Sequence, residues 1–122
     1  MQLAPISEEK LRGTFNVWDV DDDYSRPMYD YLVHGFSPGS FFTSVLANDF
    51  MGAVSRSHPN NTIPALKKLV GWISDYVPSE AQGDYPTVDA WVKATDEYRR
   101  SVLEGKGLVY TPVYETLETL KA

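Results

Sequence analysis

The apolar residues of this chain recur mainly at helical spacing. The cleanest case lies between Ile63 and Val77, where Leu66, Leu69, Val70, Ile73, Tyr76 and Val77 form one stripe. Lys67, Lys68, Ser74 and Asp75 fall on the opposite side, and Pro78 follows as a stop. Upstream, "SRPMYDYLVHG" predicts a short helix from Pro27 to His34, with Ser25 as N-cap and Gly35 as terminator. After the turn "SPGS", Ser40 is placed to cap a helix from Phe41 to Ser55, which "SHPNN" breaks. Asp84 caps a fourth helix, with Pro86 in its first turn, that carries Val88, Trp91, Val92, Thr95, Tyr98 and Val102 as far as Gly105.

The ends of the chain read differently. Before residue 24 there is a brief helical run from Glu8 to Arg12, then "GTFNVWDV", where Phe15 and Val17 alternate with polar neighbours as in a half-buried strand. Leu108 to Tyr110 reads as a second short strand, followed by a helical turn or two after Pro112. The expectation is a mainly α, small single-domain bundle of about four helices, with a minor two-stranded β element from the terminal segments. The core domain would span 25–104, flanked by an acidic extension (1–24) and a C-terminal extension packed on the core (105–122).

Composition sharpens this picture. At 122 residues, with 43% hydrophobic content and 13% aromatics, the chain can bury a globular core. Without cysteine it has no disulfide scaffold, thiol nucleophile or cysteine-based metal site. No run reads as a signal peptide or membrane span, so a cytoplasmic protein is expected. Residues 1–30 carry seven acids against three bases, supplying −4 of the net charge of −6, whereas 31–122 are nearly balanced. An acidic chain without a basic stripe disfavours nucleic-acid binding.

Two features invite a chemical reading. In "DVDDDYSRPMYD", acids at positions 1, 3, 5 and 12 imitate a calcium loop, but Tyr24 stands where the turn requires glycine, and Asp30 replaces the longer closing Glu. A solvated acidic turn is the better reading, and no metal or other cofactor is expected. Beside Trp18 and Tyr24, the carboxylates of Asp19, Asp21, Asp22 and Asp23 could instead steer a basic protein partner. The second feature is Asp49, which at about 100° per residue falls inside the apolar arc of Val45, Leu46, Phe50 and Ala53. A carboxylate there must be paired. A helix N-terminus after Ser25 or Asp84, or the guanidinium of Arg56 or Arg99, would serve. Ser40, Asp49 and Asp84 are therefore expected to be structural polar residues. His34 and His58 lack metal-pair spacing, and no nucleophile or phosphate-loop motif is present.

The stretch "YDYLVHGFSPGSFFTSVLANDF", with "LKKLVGWISDYVPSEAQG" and "VDAW", resembles a family of small uncharacterised bacteriophage and prophage proteins. Tyr31, His34-Gly35, Pro38-Gly39-Ser40-Phe41, Val45-Leu46, Asn48-Asp49, Asn61, Pro78, Gly83 and Trp91 fit the family pattern over about half the chain. Phe42, Ser57-His58 and Gln82 depart from it. The resemblance implies a shared helical fold and a phage origin, but no activity. The leading expectation is a non-catalytic phage accessory protein that binds a host protein, of the host-takeover or counter-defence type. The alternatives are a helical homo-oligomer sequestering a small anionic nucleotide signal through Arg56, Lys67, Lys68, Arg99 and Arg100, and a DNA-associated regulator.

Overall fold

The computed structural model describes residues 1–59 and 61–109. Among the described residues seven α-helices follow one another: α1 (Pro5–Val17), α2 (Asp22–His34), α3 (Ser40–Leu46), α4 (Phe50–Arg56), α5 (Ile63–Tyr76), α6 (Tyr85–Lys93) and α7 (Asp96–Gly105). A single 3₁₀ turn (Ser79–Ala81) joins α5 to α6. The mainly α, single-domain expectation holds; the four-helix count and the terminal ribbon do not. None of the described helices is long and apolar enough to cross a membrane.

The first departure is α1. Phe15 and Val17, read as a strand, lie on this helix, so a ribbon has no first strand. Its inward face is Ser7, Leu11, Thr14 and Phe15, a helical stripe disguised by two hydroxyl residues. Burial of Thr14 is tolerated because its hydroxyl donates to the Leu11 carbonyl and accepts from the Trp72 indole N–H at 2.9 Å. Phe15 stacks on Trp72 with ring centroids 4.4 Å apart. Val17, by contrast, is exposed. Residues 1–24 thus feed Leu3, Leu11, Phe15 and Val20 into the same core as α2 and α5. Leu108 and Val109 are buried after α7, while Tyr110 and the helical turn expected after Pro112 lie outside the described residues.

Helix α2 starts at Asp22, earlier than expected, with Asp21 at the N-cap position and Ser25 inside the helix. Asp22 and Asp23 in the first turn favour that start by facing the positive end of the helix dipole. Tyr24, Met28, Tyr31 and Leu32 supply the buried stripe. Gly35 ends the helix at φ 68°, its N–H and that of Phe36 reaching the Tyr31 and Asp30 carbonyls.

Two expected long helices are each broken in two. Asn48 adopts φ 60°, a left-handed conformation that asparagine tolerates, and this ends α3. Asp49 then opens α4 as its N-cap, accepting from the Gly52 N–H at 2.9 Å. Gly39, not Ser40, holds the cap position of α3, and no side chain caps that helix; Ser40 accepts the Ser44 hydroxyl on its carbonyl instead. Asp84 caps α6 as expected, accepting from the Thr87 N–H at 2.8 Å. The second break comes at Ala94, where Thr95 caps α7. The break changes the register, so Tyr98 is half exposed while Arg99 and Leu103 turn inward.

Arg99 joins these ends. Its buried guanidinium donates to the carbonyls of Val33, Trp91 and Ala94 and to the Asp96 carboxylate. It lies so close to Gly35 that a Cβ there would stand 2.5 Å from Nη1. The glycine therefore serves both the left-handed turn and the approach of the guanidinium.

Candidate protein-binding surface

The six residues expected to meet a partner are distributed by the fold. Trp18 follows the end of α1 and folds onto α5, where its Nε1 donates to Asp75 at 2.8 Å. Its ring rests on Gly71, and a Cβ on that glycine would lie 2.5 Å from the indole. Asp19, at φ 52°, pairs with Lys68 at 2.9 Å. Tyr24 is buried with its ring edge-on to Phe42, and burial, then Asp21 and Asp23, raise its phenol above the usual value of 10.0. Trp18 and Tyr24 thus make contacts within the fold, while Asp19, although paired with Lys68, keeps an exposed side chain. Asp21, Asp22 and Asp23 remain exposed around the start of α2. Because the chain is helical from Asp22, the loop geometry of a calcium site is replaced there; among the described residues no group of three acids or histidines could hold a metal ion.

The fold adds partners to those acids that the linear pattern did not reveal. Between α1 and the start of α2 lies a cleft of about 730 Å³. Glu8, Glu9, Arg12 and Asn16 line it from α1, and Asp22 and Ser25 from α2, with Phe15 and Val20 deeper in. Arg12 bonds Glu8 at 3.0 Å and lies 4.0 Å over the Tyr29 ring, so this guanidinium is partly spent inside the chain. Glu9 and Asp22 remain exposed carboxylates. The lining offers three carboxylates against one cation, together with an amide and a hydroxyl. That chemistry suits an ammonium or guanidinium group entering from outside. The i, i+4 spacing of Glu8, Arg12 and Asn16 would have revealed this wall, had α1 been read as one helix.

Asp49 has a different task. Its carboxylate accepts the Tyr85 hydroxyl at 2.5 Å and lies 3.7 Å from Arg56. Arg56 also donates to Ser44 at 2.7 Å and to Tyr85 at 3.2 Å. The hydrogen bond from Tyr85, then the Gly52 N–H and Arg56, hold Asp49 below the usual 3.8. The carboxylate is not submerged in an apolar arc but is one-third exposed at a helix junction. Its partners include one of the expected guanidiniums and a residue in the first turn after Asp84. One carboxylate, two hydroxyls and a guanidinium here tie α3, α4 and α6 together.

Four of the five cations proposed for an anionic ligand are engaged elsewhere. Arg99 is buried among carbonyls, Lys68 holds Asp19, Arg56 belongs to the Asp49 cluster, and Arg100 reaches the Gln2 carbonyl at 3.1 Å. Lys67 is exposed on α5. His34 Nδ1 accepts from the Met1 α-ammonium at 2.9 Å, and burial, then that charge, lower its pKa from 6.5. In comparison with known proteins, the chain matches no family model, no curated protein and no solved structure.

Proposed function

We propose that this protein is a non-catalytic bacteriophage accessory protein that acts in the host cytoplasm by binding a host protein with a basic surface. The observation that carries this reading is the acidic cleft between α1 and α2, with Asp21, Asp22 and Asp23 at its α2 end. Its volume of about 730 Å³ is ample for one or two basic side chains. Carboxylates held on helices present a fixed field, which accelerates encounter with an oppositely charged partner. Counter-defence or host takeover is the role such a binder would play. The phage origin rests on the sequence resemblance alone.

The test is affinity capture from host lysate, using the wild-type chain and the Glu9→Lys/Asp22→Asn variant side by side. The expected outcome is a host protein enriched by the wild type, released by salt and lost from the variant while its helical circular dichroism persists. A protein captured equally by both chains, or no enrichment by the wild type, would overturn the proposal.

A further inference from the structure

A different face of the molecule is apolar and uncovered. On α4, Phe50, Met51 and Val54 are 70%, 77% and 48% exposed; on α5, Ile63 and Val70 are 73% and 46% exposed. At about 100° per residue Phe50 and Val54 share one side of α4, as Ile63 and Val70 share one side of α5. Helix α4 packs chiefly on α3, and α5 on α1, so α4 and α5 leave a furrow between them. Two adjoining hollows of about 200 and 210 Å³ mark it, and Leu66 lines both. An apolar ridge, made by α4, therefore stands directly beside an apolar groove.

We infer that this face is the interface of a homodimer, in which the α4 ridge of each copy seats in the α4–α5 groove of the other. A two-fold axis requires one surface to complement itself, and a ridge beside a groove meets that requirement. The area agrees with the occupant. The five exposed side chains present on the order of 400 Å² of apolar surface. One half of a standard interface covers about 800 Å², of which roughly 500 Å² is apolar. Charge agrees as well. Two copies of a −6 chain repel one another unless their acids are kept apart. The acids at the start of α2 belong to another surface, and Asp49, at the edge of the groove, is already bonded to Tyr85 and Gly52. Lys67 stands between Ile63 and Val70 in sequence, where its stem can lie along the interface with its ammonium at the rim.

Sedimentation equilibrium of the full chain, from micromolar to several hundred micromolar, tests the inference. The expected result is a shift from the 13.7 kDa chain mass to twice that value with rising concentration. Met51→Lys/Ile63→Glu should remain at the chain mass throughout, whereas Val17→Lys, an exposed change on α1, should dimerise normally. Ile63→Glu alone places a carboxylate at the start of α5, which suits that helix end, and should weaken association at least tenfold without unfolding the chain. A wild type that stays at the chain mass overturns the inference, as does a doubled mass that survives the double substitution. A monomer that instead captures a host protein through Met51 and Ile63 also overturns it. The Glu9→Lys/Asp22→Asn chain should lose its host partner yet still dimerise, so the two proposals fail separately.

Discussion

Asp49 illustrates how a single residue's role depends on where the backbone breaks. In an unbroken helix it would be a buried charge in need of rescue. Because Asn48 turns left-handed, Asp49 becomes a helix cap whose second oxygen remains available for Tyr85. Gly52 completes the arrangement, since a Cβ at that position would overlap both the Asp49 carboxylate and Arg56. Asp49→Ala removes the cap and the tie to α6 together, so it should lower the urea midpoint while leaving host-protein capture intact. Tyr85→Phe, which spares the cap, should lower the midpoint less. An Asp49→Ala chain of unchanged stability that no longer captures the host protein would show that the carboxylate belongs to a binding site.

At the scale of elements, several junctions between helices are tied by polar groups as well as by the apolar core. Arg99 is the clearest case, because the ends of α2 and α6 both terminate on its guanidinium. Arg99→Met keeps much of the volume but leaves several carbonyls unpaired in a buried setting. The expected loss of unfolding free energy is about 3 kcal/mol, measurable by urea denaturation. The same junctions decided what could be read from the sequence. Helix α5 was legible because its stripe is mostly aliphatic, although Val70 of that stripe is half exposed and Trp72, outside it, is fully buried. The end of α2 was legible because Gly35 has one conformational use there. Helix α1 was not, because Ser7 and Thr14 occupy inward positions that ordinary hydropathy assigns to solvent. The breaks at Asn48 and Thr95 were missed because the apolar period continues across them; the capping residues were the signal. Of the candidate surface, Asp21, Asp22 and Asp23 were legible as an acidic cluster. Glu8, Glu9 and Asn16 were not, since only a continuous α1 brings them to the same cleft.

For the whole molecule, the charge layout predicts how stability responds to acid. Burial, then the Met1 α-ammonium, hold His34 below 6.5, so the unfolded chain takes up its proton first as pH falls. Stability from this source is present above about pH 6.5 and is lost as pH drops through the lower folded value. Asp49, Asp84 and Asp96 are likewise held below 3.8: Asp49 by Tyr85, Asp84 by Thr87 and Asp96 by Arg99, each through a hydrogen bond. Their contribution is intact above the ordinary carboxylate range and disappears as pH falls from about 3.8 through the depressed folded values. Asp84 and Asp96 are solvent-exposed and Asp49 is one-third exposed, so this second decline should be shallow in salt. Thermal melts between pH 8 and pH 2 should therefore show two separate declines, and His34→Gln should abolish the first while retaining the second.

In the proposed function, the acidic face between α1 and α2 receives a basic host protein. Amide hydrogen exchange on the captured complex, compared with the free chain at the same concentration, addresses it most directly. Added protection is expected in residues 5–25, fading as salt releases the partner. Protection confined to other segments, with 5–25 exchanging as in the free chain, would contradict the proposal.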